Sequence, residues 1–180
     1  MHPARAACAL LAAWYLTAYV RRPGAYLLLD HVDLAVHEAG HVVFAPFGEF
    51  AGIAGGSLLQ LIVPLAFAFY FLRTRQPYAA FIVAFWCAQS LHNVAVYIGD
   101  ARAQALPLVG GEYVIHDWAY MLSRLRLLQE DRAIADAVKA LAALTWFAAL
   151  GGALAHSRRA TDPRPAVDTA PARAFAERSR

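Results

Sequence analysis

Tyr26-Leu-Leu-Leu-Asp30-His31-Val-Asp33-Leu-Ala-Val-His37-Glu38-Ala-Gly-His41-Val-Val-Phe-Ala45 is an apolar stretch of helical length that carries six acidic or imidazole side chains. Pro46 and Gly48 close it, because proline cannot continue a helical hydrogen-bond ladder. Ionisable groups in such a segment are costly in lipid and mark function by default. The surrounding sequence decides whether lipid is the right solvent.

Ile53 to Leu72 has no charge and has Gln60 as its main polar group, and Tyr78 to Ile98 is likewise uncharged. Each meets the roughly 20 apolar residues that a bilayer core requires. The basic turn Arg73-Thr-Arg-Gln-Pro77 separates them. Ala133 to Ala155 makes a further span, with Asp136 and Lys139 near its start. Ala6 to Val20 is shorter. It reads as a retained span, since no convincing small-residue cleavage site follows it, with a signal-peptide core as the alternative. The chain of 180 residues is 60% hydrophobic and only 16% charged, where soluble domains carry about 25% charge. Its mean hydropathy is +0.43. The expected fold is therefore an all-α membrane protein of about five transmembrane helices, residues 1–156. A short amphipathic helix from Trp118 to Leu128 and a disordered basic tail, 157–180, complete it.

The pI of about 9.1 does not point to nucleic acid. Ser157 to Arg180 holds six arginines against Asp162, Asp168 and Glu177, while the remainder balances ten basic residues with ten acidic ones. The excess belongs to the tail, and no basic-aromatic surface exists for nucleic acid. Two cysteines, Cys8 and Cys87, cannot build a disulfide framework or a four-thiolate metal site. With five crossings and an outer N-terminus, ten arginines fall on the inner face and five on the outer, in keeping with the positive-inside rule. The expected location is the cell membrane.

His37-Glu38-Ala39-Gly40-His41 carries the chemistry. Histidines four apart on a helix stand one above the other and can share a metal ion, and the intervening glutamate is placed to act on a metal-bound water. The alternative is an interfacial helix with solvated histidines. Asp30, Asp33, His37 and His41 fall within an arc of about 80°. Asp33 is expected to accept the second ring N–H of His37. Asp30 is read either as part of that support or as a helix cap.

Gln89, His92, Asn93, Tyr97 and Asp100 form a polar stripe expected to face the histidine helix. Asn93 has two readings there, positioning of substrate or an oxyanion, and interhelical hydrogen bonding. Zinc needs a third protein ligand. The expected one is His116, a nitrogen donor like the other two, followed by Asp117, whose alternative reading is the N-cap of the amphipathic helix, and then Asp100. Gly48, Gly52 and Gly56 recur every four residues, a spacing that permits close backbone contact or a flexible turn.

Over roughly residues 25–130 the chain resembles the site-2 protease family of intramembrane zinc metalloproteases, in particular its compact bacterial branch. The resemblance implies that His37 and His41 bind Zn2+, that Glu38 is the catalytic base, and that the substrate is a peptide bond of a membrane-embedded protein. The family's second motif runs from an asparagine and a proline into Leu-Asp-Gly, whose aspartate is the third ligand. The nearest string here is Leu106-Pro-Leu-Val-Gly-Gly111, with Val109 at the aspartate position. The third ligand has then moved to the His116-Asp117 pair, or the metal is held differently. The expected function is an integral membrane zinc metallohydrolase, a peptidase in the first instance. The alternative is a non-catalytic zinc-binding membrane protein derived from such a protease.

Overall fold

The computed structural model describes residues 2–21, 26–108 and 114–157, and these fold into six α-helices. Helix α1, Pro3–Val20, begins with proline in its first turn, where the missing N–H would have had no helical partner. Its buried residues, Ala6, Ala9, Ala13, Leu16 and Tyr19, recur every three or four positions and make one stripe. That stripe packs on Phe85 and Ala88 of α4, Pro77–Gly99, and on Ala149 and Ala153 of α6, Asp131–His156. Alanines there let the helix backbones approach closely. A second cluster at the other end joins Val94 and Ile98 of α4 to Leu122 of α5, Asp117–Arg124, and to Ala135 of α6.

Helix α2, Leu28–Phe44, holds the histidine motif and ends in a 3-10 turn, Ala45–Phe47, at Pro46. Gly48, at φ 104°, reverses the chain in a backbone conformation that glycine alone adopts freely. Helix α3, Glu49–Arg73, then runs back along α2. The two backbones touch. A Cβ at Gly40 would overlap the Gly55 carbonyl group, and one at Gly55 would lie 2.6 Å from Cβ of Phe44. The glycine spacing in this region therefore serves close contact, with Gly55 joining the expected series.

Three helical segments are long and apolar enough to cross a membrane: Glu49–Arg73, Pro77–Gly99 and Leu128–His156. Five were expected. By length and composition α1, of 18 residues with Arg5, and α2, of 17 residues with Asp30, Asp33 and Glu38, fall short. Leu58, Ile62, Leu65 and Phe69 of α3 and Leu141, Leu144 and Phe147 of α6 are exposed, while Gln60, Asp30 and Asp33 are buried. This reversal of the soluble pattern gives the protein the character of a membrane bundle. The amphipathic helix is present as α5, shorter than expected. The basic tail beyond Ser157 and the Val109-Gly-Gly111 part of the divergent string lie outside the described residues.

Arg102, just after α4, donates to Asp131 at 2.8 Å and ties α4 to the start of α6. That hydrogen bond raises the arginine's pKa further.

The α2–α3 contact yields a direct expectation. Gly40→Ala should destabilise the fold by about 1–3 kcal/mol through overpacking, lowering Tm in detergent. Gly151→Ala, whose Cβ meets open space, should leave Tm unchanged or raise it, because alanine is the better helix former.

Candidate metal centre

His37 and His41 face the same way from α2, with ring centroids 4.8 Å apart. Gly56 makes this possible, since a Cβ there would lie 2.6 Å from Nε2 of His37. Each ring is held through Nδ1: that of His37 is 3.3 Å from Oε1 of Gln60, and that of His41 is 2.8 Å from the Gly52 carbonyl oxygen. Both partners accept, so both Nδ1 atoms carry the proton. The Nε2 atoms converge on one oxygen, Oδ2 of Asp117, at 3.0 Å from His37 and 3.4 Å from His41.

A neutral imidazole has a single N–H, and here both rings spend it on Nδ1. Each Nε2 would then meet the carboxylate lone pair to lone pair. Something positive has to lie between them, either one extra proton on each ring or one cation shared by all three groups. The spacing suits the cation. Donors bound to zinc at about 2 Å on a tetrahedron lie roughly 3.3 Å apart, close to the two separations observed. His37, His41 and Asp117 thus form a group able to hold a metal ion, and backbone or amide oxygen behind each imidazole is the usual support for a metal-ligating histidine.

Several contacts fix Asp117. It opens α5, and its backbone N–H donates to the hydroxyl of Tyr97 at 3.2 Å. The neighbouring Trp118 donates from Nε1 to Oγ of Ser57 on α3 at 3.0 Å. The carboxylate also sits in the first turn of α5, where the helix dipole favours negative charge.

The expected third ligand needs correcting. His116 does not join the group. Its Nδ1 accepts the Ala119 N–H at 3.2 Å and caps α5, and its Nε2 lies 3.4 Å from Oδ2 of Asp100. The capping role foreseen for Asp117 thus falls to His116, and the place beside His37 and His41 to Asp117. Asp100 serves the turn after α4, accepting from the backbone N–H of Ala105 and Leu106, both at 3.0 Å.

Asp33 does not contact His37 directly; it takes a side-chain hydrogen bond from Gln60, which does. It accepts from Nε1 of Trp86 at 2.7 Å and from Oγ of Ser90 at 3.1 Å; Gln60, from the facing helix, takes the place beside His37. Asn93 hydrogen-bonds Gln60, Asp30 and Tyr19, the interhelical one of its two expected roles. Asp30 accepts the Leu27 N–H at 2.6 Å, and so caps α2 while also meeting α4. Glu38 is exposed beside His37 and makes no hydrogen bond or ion pair among the described residues. The stripe on α4 faces α2 through Gln89, Asn93 and Tyr97, whereas His92 turns to Tyr19 of α1. Gln60 and the Gly52 carbonyl were not foreseen as site groups. A lone amide in an otherwise apolar span was the available signal for the first; no side chain could signal the second.

No family model, curated protein or solved structure matches the chain.

The geometry separates two adjacent residues. Asp117→Ala should weaken zinc binding by at least ~100-fold, since loss of a ligand exceeds the 10–100-fold typical of losing a supporting group. His116→Ala should retain about one metal ion per chain and cost about 2–4 kcal/mol, through the lost cap and the cavity left by a buried ring. Metal analysis of the two purified variants, with thermal melts, checks both.

Proposed function

We propose that this protein is an integral membrane zinc metallohydrolase, a peptidase of site-2 protease type, with His37, His41 and Asp117 as the protein ligands. The observation that carries the reading is the convergence of two Nδ1-anchored imidazoles and one buried carboxylate on a single point. Three protein ligands leave a fourth position for water, which is the pattern of catalytic rather than structural zinc. Zinc bound by these three residues would supply an activated water and polarise a carbonyl oxygen. Glu38, adjacent to His37 and without a hydrogen bond or ion pair among the described residues, would take the proton from that water and return it to the departing amine. Asp117 does the work of the aspartate of the family's Leu-Asp-Gly motif from a different point in the chain.

On this reading α3, α4 and α6 cross the membrane, and α1 and α2 together carry the chain once from the end that holds Arg5 and Tyr78 to the end that holds the metal group. Helix α1 shares its buried face with α4 and α6, and α2, of 17 residues, is about 26 Å long. The metal group lies towards one end of the bundle, between the first turns of α3 and the last turns of α4, with α5 across it. The N-terminus lies at the opposite end of the bundle, where the His2 N–H donates to the Ser157 carbonyl oxygen and the Tyr78 hydroxyl donates to the Arg5 carbonyl oxygen, and the substrate is a membrane-embedded peptide.

Glu38→Gln should keep the zinc and lose about 10²- to 10⁴-fold in turnover, the usual contribution of a general base. The measurement is cleavage of a transmembrane peptide by purified, metal-loaded protein. Metal-loaded protein whose activity is the same with either residue at position 38 would reject catalysis and leave a zinc-binding membrane protein that holds a partner.

A further inference from the structure

Two histidines are anchored here in different ways. His41 gives its Nδ1–H to a backbone carbonyl, which can only accept. His37 gives its Nδ1–H to the amide of Gln60, and an amide presents an acceptor from one end and donors from the other. Turned over, Gln60 would donate to Nδ1, the His37 proton would move to Nε2, and the ring could no longer bind metal through that atom. Something must therefore choose the orientation of Gln60.

The choice is traceable. Nε2 of Gln60 donates to Oδ1 of Asn93 at 2.9 Å, and the Asp33 carboxylate also takes a side-chain hydrogen bond from Gln60, which favours the same orientation. Nδ2 of Asn93 donates to Oδ1 of Asp30 at 3.2 Å and to the Tyr19 hydroxyl at 3.3 Å. Asp30 is 2% exposed, and the other groups on its carboxylate also donate: the Leu27 N–H and Nε2 of Gln89 at 2.9 Å. Gln89 supplies that N–H while its own Oε1 stays buried without a partner. Asp30 is thus surrounded by donors and acts as an acceptor only.

We propose that Asp30 sets the tautomer of His37 through Asn93 and Gln60, so that a carboxylate remote from the metal group decides whether His37 can be a ligand. The inference rests on His37, His41 and Asp117 being a metal site. Asp30, Asn93 and Gln60 are positioning residues. The acceptor at Asp30 makes Asn93 point Nδ2 towards it and Oδ1 away, Gln60 then points Nε2 at Asn93 and Oε1 at His37, and His37 keeps its proton on Nδ1. His41 needs no such chain, which makes His37 the conditional ligand of the pair.

Substitutions that reverse or restore the direction provide the test. In Asp30→Asn the new amide can keep the Leu27 cap through its oxygen and donate to Asn93, so the whole chain turns over and His37 presents N–H at Nε2. Zinc affinity of the full-length protein in detergent, measured by competition with a chromogenic chelator, should fall 10- to 100-fold. In Asp30→Asn combined with Asn93→Asp the charge moves one step along the chain. The carboxylate introduced at position 93 again accepts from Gln60, and affinity should return to within about threefold of wild type. A residue acting only as a cap would show no such recovery. If Asp30→Asn does not survive extraction, Asn93→Leu, which leaves the Asp30 cap in place, should itself lose at least about tenfold.

Imidazole ¹⁵N spectra of metal-stripped protein supply the second readout, with the His37 signal assigned through His37→Gln. They should show Nδ1 protonated in wild type and in the charge exchange, and unprotonated in Asp30→Asn. Unchanged affinity in Asp30→Asn and Asn93→Leu, or equal loss in Asp30→Asn and the exchange, overturns the relay. Absence of zinc binding by wild type overturns the metal site instead, and the spectra then still decide the tautomer question.

Discussion

The contact between the backbones of α2 and α3 at Gly40 and Gly55 is the constraint on which the site depends. It brings the first turns of α3 so near the histidine helix that a backbone carbonyl, at Gly52, can reach the ring of His41. It also leaves no room beside His37 for any side chain at position 56. With alanines at these positions the helices would stand further apart, and both Nδ1 atoms would lose their acceptors together. Small residues in membrane bundles are usually credited with packing alone. In this protein the same residues determine which imidazole nitrogen is free.

The second constraint is the solvent. A helix in hydrocarbon can leave no polar group unpaired without a penalty of several kcal/mol, so the polar side chains of α2, α3 and α4 are driven to face one another. Asp33 finds Trp86 and Ser90, Asp30 finds Gln89 and Asn93, and Gln60 joins Asn93 to His37. The result is a continuous hydrogen-bonded layer through the bundle instead of scattered pairs. Such a layer resists rearrangement, because turning one amide requires its neighbours to turn as well. Rigidity of that kind suits a metal site, whose ligands must be held within a few tenths of an ångström.

Much of this arrangement could be read from residue order. The spacing of His37 and His41, the apolar runs that became α3, α4 and α6, and the inward stripe of Gln89, Asn93 and Tyr97 all follow from helical periodicity and the cost of polarity in lipid. The support for His37 could not. Asp33 lies one turn before His37 on the same helix, so sequence spacing favoured it. The rotation of α2 points it into α4, towards Trp86 and Ser90. Gln60 lies 23 residues away, and only the fold brings it near. Local spacing ranks partners on one helix well; it carries no information on which facing helix supplies a better one.

The reversal between His116 and Asp117 follows from helix geometry. A capping residue lies just outside the helix and folds its side chain back over the first turn, where it accepts an N–H. The next residue is the first in the helix, and its side chain projects outwards from the helix end. Either order of histidine and aspartate could satisfy these demands chemically, because neutral imidazole and carboxylate both accept. The tilted packing of His116 against Tyr97, with ring centroids 4.3 Å apart, favours the flat ring at the buried capping position. The carboxylate is then the group sent towards the imidazoles. A charge of −1 there would compensate a divalent cation better than a third neutral nitrogen, an advantage largest in a low-dielectric bundle. The aspartate is the better choice because the other two donors are neutral, the opposite of the resemblance in donor type that favoured His116 from sequence.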